Sequence, residues 1–299
     1  MEQAPATLAG TFTRIVHLLA KNSMRNCVRN SLLHGGAIPH DVKEIFSREK
    51  GFEDGMNELW QNHHEISPLL LQQFGIYFSR LRPADTSGTL YTQLVNRLVG
   101  QRAEGVMLST LNYDCLLDGE ITRIGRKVNY LFPLKEGDAP EGLLLLKLHG
   151  SCNWLPDMPM GRNVRYTSTV RLDCPVYSVN NEEALSSYLT DDTSLYPVMR
   201  IYTKEKPAQL CPTFFEHLTK EWSNTILQAK KIVLIGIRPY PPDSHIWSPL
   251  EKSPAKIFCI GNQVDYENWQ VQSGRTGELH FIDDRFTEDS LRRLWTDLF

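Results

Sequence analysis

The spacing of apolar residues changes character near residue 100. Before it, "FTRIVHLLAKNSM", "ISPLLLQQFGIYFSRL" and "LYTQLVNRLVG" space their apolar residues at three and four, as helices facing a core do. Gly100 is a natural stop for the last of them. "LRPADTSGT", residues 81–89, reads as a loop from its Pro, Asp, Ser and Gly. Beyond residue 100 the apolar residues gather into short runs, "GVMLSTLNYD", "GLLLLKLHGS", "KKIVLIGIRP" and "AKIFCIGNQ", with "GELHFIDDR" a weaker fifth. The first four lack in-out alternation, so they fit strands buried on both faces, as in a parallel sheet covered by helices.

The intervening segments complete an α/β, Rossmann-like reading. "PTFFEHLTKEWSNTILQA" is an amphipathic helix before the third run, and a short crossover fits between the third and fourth. "DSLRRLWTDLF" reads as a closing helix capped at Asp289. The mixed polarity and prolines of about 152–210 suggest an inserted lid. The expected organisation is a mainly helical region, 1–100, packed on a core of 101–299 that carries this lid.

Composition narrows the function classes. The chain has 299 residues, enough to bury a full core, with 41% hydrophobic and 22% charged residues. A net charge of -3 lacks the basic footprint of a dedicated nucleic-acid binder, so nucleic acid enters only indirectly if at all. No apolar run reaches the roughly 18 residues of a membrane span. The N-terminus opens with an acid and does not read as a secretory signal. The six cysteines, Cys27, Cys115, Cys152, Cys174, Cys211 and Cys259, are scattered singly. They read as reduced thiols of a cytoplasmic protein, with no zinc ribbon.

Each apolar run ends in residues capable of chemistry. The first ends at Asn112 and Asp114, the second at His149 and Ser151, the third at Gly236 with Asp243 beyond it, the fourth at Gly261 and Asn262, and the fifth at Asp283. In an open parallel sheet, ligands bind outside the carboxyl ends of the strands, so these groups converge on one cleft. Each also has a plain structural role open to it. His149 suits a hydrogen-bonded core position, and Asp114 and Asp243 suit helix caps. Trp154 and Trp247 read as packing residues at lid edges, and His63 and His64 as exposed. Cys152 has no evident basic partner and is not read as a nucleophile.

"TLNYD" (110–114) followed by "KLHGS" (147–151) resembles the paired strand-end motifs of the sirtuin-like superfamily, most closely those of bacterial sirtuin-like proteins linked to antiviral defence. "IVLIGIRPYPPDSH" and "IFCIGN" resemble the later strands of that family, and the similarity runs from about residue 70 to 265. The resemblance implies NAD as substrate, with His149 as base and Asn112 holding a water or the ribose hydroxyls. It implies cofactor contacts from Thr110, Asp114, Ser151, Gly236, Asp243 and Asn262. The implied activity is that of an NAD glycohydrolase, an antiviral-defence effector that releases nicotinamide and ADP-ribose under the control of a protein partner or homo-oligomer.

The sequence departs from that pattern in three ways. The opening strand and G-A-G-x-S loop, whose backbone amides hold a pyrophosphate, find no match; "LLHGGAIPH", with Gly35 and Gly36, is the nearest segment. Gly236-Ile237-Arg238 stands where relatives have G-Y-S, so Arg238 either takes over phosphate binding or blocks the site. The zinc-binding cysteines of protein-deacylating members are absent, so no metal is expected. The second reading is therefore a sirtuin-like subunit that has lost catalysis and serves in binding, assembly or sensing of a nucleotide-derived signal.

Overall fold

In a computed structural model of the protein, the residues described are 13–17, 52–82, 88–100, 105–132, 142–158, 172–191, 195–201 and 208–298. Nine strands lie within them: β1 (Thr13–His17), β2 (Met107–Thr110), β3 (Val128–Asn129), β4 (Leu143–Lys147), β5 (Trp154–Pro156), β6 (Val176–Ser178), β7 (Lys231–Ile235), β8 (Lys256–Ile260) and β9 (Leu279–Asp283). The helices are α1 (Phe52–Asn62), α2 (Ser67–Ser79), α3 (Leu90–Gly100), α4 (Leu116–Arg123), α5 (Glu182–Thr190), α6 (Pro212–Gln228), α7 (Ser244–Lys252), α8 (Gln263–Ser273) and α9 (Glu288–Leu298).

Seven strands form one sheet in the order β3-β4-β2-β1-β7-β8-β9, and every pairing in it is parallel. This is a Rossmann-like α/β architecture, and the five apolar runs are its strands β2, β4, β7, β8 and β9. Four successive residues of β7 and of β8 are buried, because helices cover both faces of such a sheet. The short crossover between these two strands is α7, nine residues long.

Two expectations need correction. "FTRIVHLLAKNSM" contains a strand, Thr13–His17, not a helix from its start. A short apolar run has no decisive period, and β-branched Thr13, Ile15 and Val16 favour extended backbone. β1 pairs with both β2 and β7 and so joins the two halves of the sheet. The first hundred residues are therefore not only a helical layer. The cap of α9 is Thr287, not Asp289: Thr287 and Ser290 exchange side-chain-to-backbone hydrogen bonds at 2.8 and 3.1 Å. Asp289 lies inside the first turn.

The segment between β4 and α6 carries a small antiparallel sheet, β5 with β6, and helix α5. Trp154 is fully buried and packs edge-on against Tyr130, Phe132 and Phe214. Trp247 packs on Trp269, their ring centroids 5.0 Å apart. Among the described residues, no helix is long and apolar enough to cross a membrane.

Candidate functional site

The site follows from strand register. Thr110, the last residue of β2, pairs directly with Lys147, the last of β4. Asn112 and His149 each lie two residues beyond that pair, so the two chains leave the sheet side by side, with neighbouring strands about 4.8 Å apart. β1 separates β2 from β7, and the chain builds the sheet outward from it in both directions. That is the topological switch point at which open α/β sheets bind ligands.

The β2 turn is held by its own side chains. Thr110 Oγ1 accepts the Asn112 N–H at 3.1 Å. Asp114, one residue before the N-cap Cys115, accepts the Leu116 N–H, the first of α4, at 3.0 Å. Burial pushes the Asp114 carboxyl above its usual range, against the opposing pull of the Lys147 ammonium. Tyr113 donates its hydroxyl to the Arg200 carbonyl at 2.7 Å.

The β4 turn rests on a buried ion pair. Lys147 is 0% exposed. Its ammonium donates to the Asp114 carbonyl at 2.5 Å and lies 3.2 and 3.3 Å from the Asp118 carboxylate oxygens. Tyr130 donates to the same carboxylate at 2.5 Å. Burial is the largest single influence on Lys147 and lowers its pKa, but Asp118, the two neighbouring cysteines and Asp114 together outweigh it and hold the ammonium above the usual lysine range. His149, 2% exposed, follows. Its ring centroid is 5.6 Å from that of His245, on α7.

Gly150 has a backbone reason to be glycine. Its φ is 89°, and a Cβ there would stand 2.2 Å from the Val198 carbonyl oxygen. The segment 195–201 lies against this turn: Arg200 N–H donates to His149 O at 2.9 Å and Ser151 N–H to Val198 O at 3.2 Å. Ser151 donates its hydroxyl to Asn153 Oδ1 at 2.7 Å.

The loop after β7 returns to these turns. Asp243 holds the N-cap position of α7. It adds to the upward shift of Tyr113 and opposes the downward shift of Arg200. Burial is nevertheless the largest influence on both: it raises the tyrosine and lowers the arginine. The Arg200 guanidinium lies over the Phe215 ring, 4.9 Å from its centroid, and donates to Thr219 Oγ1 at 3.1 Å.

Thr110, Asn112, Asp114, His149, Ser151 and Asp243 thus gather around the ends of β2 and β4. Gly236 and Asn262 lie farther along the sheet, after β7 and β8. Gly236 is exposed at φ 68° and donates its N–H to Ile260 O at 2.8 Å. Asn262 is exposed and caps α8 by accepting the Asp265 N–H at 3.1 Å. Arg238 Nε pairs with Asp265 Oδ2 at 3.0 Å. Gly35 and Gly36 lie outside the described residues. Among those described, no cluster of three or more His, Cys, Asp or Glu is arranged to hold a metal ion.

Tyr113, Arg200 and His245 belong to the gathered group without having been singled out in the sequence. His245 had a signal in its place beside Asp243; Arg200 had none, lying in a segment of no clear period. Lys147 also had one, since a lysine inside a buried strand requires a carboxylate nearby.

The sequence matches no family model, and no curated protein is similar to it. Two of the solved structures to which the chain is similar are these. One, described as the structural basis of sirtuin substrate affinity, has a TM-score of 0.46 at 11% identity over 95% of this chain and 93% of that one. The other, described as the structural basis for the mechanism and regulation of Sir2 enzymes, has a TM-score of 0.44 at 10% identity over 95% and 91%. Similarity at this level assigns no activity.

Proposed function

We propose that the protein cleaves NAD at the bond between nicotinamide and ribose, with His149 as general base. The observation that carries this reading is the pairing of Thr110 with Lys147, which brings Asn112 and His149 off adjacent strands at the switch point. The motifs in which those two residues stand are the ones that resemble the sirtuin-like superfamily.

The residues suit the chemistry. Cleavage passes through an oxocarbenium-like state, as in glycoside hydrolysis. Nicotinamide leaves as a neutral base, so no general acid is required. What the protein supplies is position and a proton acceptor. An imidazole, with an unperturbed pKa of about 6.5, takes the proton of the attacking water at neutral pH. In this reading Asn112 orients that water or the ribose hydroxyls. His245 stands beside the base. Arg200 and Asp243 offer one cationic and one anionic group for the polar parts of the dinucleotide. A strand does open the sheet, at Thr13–His17; residues 18–51, which follow it, lie outside the described residues.

The test is nicotinamide release by the purified chain. His149→Ala and Asn112→Ala are each expected to lower turnover by a factor of about 10² to 10⁴. Equal turnover by parent and His149→Ala would refute the assignment of the base. The engagement of Arg238 by Asp265 and of Asn262 by the start of α8 favours the second reading, a binding or sensing subunit without turnover. Calorimetry with NAD and ADP-ribose separates the two readings, since a sensor binds at least one of them without releasing nicotinamide. Control by a partner protein or by assembly, a role in antiviral defence, and residence in the cytoplasm belong to the same proposal.

A further inference from the structure

Cys115 stands just beyond the β2 turn and Cys152 just beyond the β4 turn, and their sulfurs are 3.5 Å apart. Both are free thiols. A disulfide requires about 2.05 Å, so closure asks for roughly 1.5 Å of approach shared between two side chains. The backbones that carry them are already joined, since Cys152 N–H donates to Tyr113 O at 2.8 Å. Cys152 is fully buried, whereas Cys115 is half-buried, so a small oxidant reaches Cys115 first.

The buried Lys147 ammonium acts on Cys152 and favours its thiolate. At Cys152 that pull is overcome by its hydrogen bond to Cys115 and by burial, which hold its thiol well above the usual range. Cys115 is therefore the attacking sulfur and Cys152 the resolving one.

We infer that Cys115 and Cys152 form an oxidisable dithiol that closes to a disulfide across the turns of β2 and β4. The oxidant class is a hydroperoxide. The Cys115 thiolate attacks the peroxide oxygen, the O–O bond breaks, and the departing oxygen takes a proton to leave as water or an alcohol. Cys115 is now a sulfenic acid. The Cys152 sulfur attacks it, the S–O bond breaks, and hydroxide leaves with the Cys152 proton as water. With hydrogen peroxide, two thiols and one peroxide become one disulfide and two waters. The dithiol loses two electrons and the peroxide gains them. This site is independent of the NAD reading and is tested without it.

The experiment treats the purified full-length chain with hydrogen peroxide, alkylates the remaining thiols and maps the peptides by mass spectrometry. The expected product is a peptide pair joined through Cys115 and Cys152, two hydrogens lighter than the reduced pair and released by dithiothreitol. In Cys152→Ser the resolving sulfur is gone, and dimedone is expected to trap Cys115 as its sulfenic acid. Cys174 and Cys211, whose sulfurs are 3.6 Å apart, provide a comparison within the same digest. Full alkylation of Cys115 and Cys152 after excess peroxide would overturn the inference. So would dimedone labelling of Cys115 in the parent equal to that in Cys152→Ser. The parent digest decides the matter even if the variant does not fold.

Discussion

Lys147 shows how much a single residue carries at this site. It ends β4 after four leucines, and its ammonium binds the Asp118 carboxylate and the Asp114 carbonyl. The lysine thereby holds the β2 turn beneath the strand end from which His149 emerges. Removing one member of such a pair leaves an uncompensated charge in the core. Lys147→Met is expected to lower stability in urea unfolding by about 3–5 kcal/mol. Lys147→Met with Asp118→Leu is expected to recover a large part of that loss, because neither charge of the pair then remains buried without the other. The sign with pH follows from the raised lysine pKa. The contribution is complete below the unfolded lysine pKa, about 10.4, and is lost as pH rises through the folded one. Alkaline unfolding of the parent should show this component, and Lys147→Met should lack it. Gly150→Ala combines a left-handed φ with a backbone clash. We expect it to cost about 3 kcal/mol or more in the same unfolding assay, with displacement of segment 195–201.

At the scale of elements, the turns are set by side chains rather than by hydrophobic pattern. α4 begins where Asp114 accepts the Leu116 N–H, α8 where Asn262 accepts that of Asp265, and α9 where Thr287 and Ser290 exchange bonds. Thr287→Ala should therefore destabilise α9 by about 1 kcal/mol and speed amide exchange in its first turn. Asp289→Ala should do so by a few tenths, through the helix dipole and its exposed ion pair with Arg292. The caps were partly legible beforehand. Asp114 and Asp243 were open to that role from their places before helical patterns; Asp243 holds the N-cap position of α7, whereas Asp114 lies one residue before that of α4 and accepts its first N–H. α9 was misread by two residues because its first turn offers Thr287, Asp289 and Ser290 together, and only backbone geometry selects among them.

On the scale of the whole molecule, β1 is the decisive strand. It joins β2 to β7 and makes one seven-stranded parallel sheet with a switch point at its centre. In the proposed reading a ligand bound there stabilises the folded state by its binding free energy. For His149→Ala, which in the proposed reading binds without turnover, NAD at a hundred times its dissociation constant adds about 2.7 kcal/mol. Spread over the unfolding entropy of a 299-residue chain, that is a rise in Tm of about 4 °C. The same variant in ADP-ribose gauges how much of the effect the nicotinamide half contributes. No shift with either ligand, at concentrations that saturate the parent by calorimetry, would place His149 in binding rather than in proton transfer.

The sequence by itself determined the sheet's interior and the chemistry at its edge. Leu145, Leu146, Val233, Leu234, Phe258 and Cys259 are buried, because strands with apolar side chains on both faces need a sheet covered on both sides. The polar residues that close those runs fall at the strands' carboxyl ends for the same reason. What only the tertiary structure decided is which of these ends meet. Strand order is a long-range choice, invisible to local period, so β1 passed for part of a helix until its two parallel partners made it a strand. It is that order which sets Asn112 beside His149 through the pairing of Thr110 with Lys147, and leaves Asn262 to cap a helix farther along the sheet. Arg200 and His245 reach the site only because segment 195–201 folds against Gly150 and α7 turns back toward β4. No spacing in the chain encodes either contact.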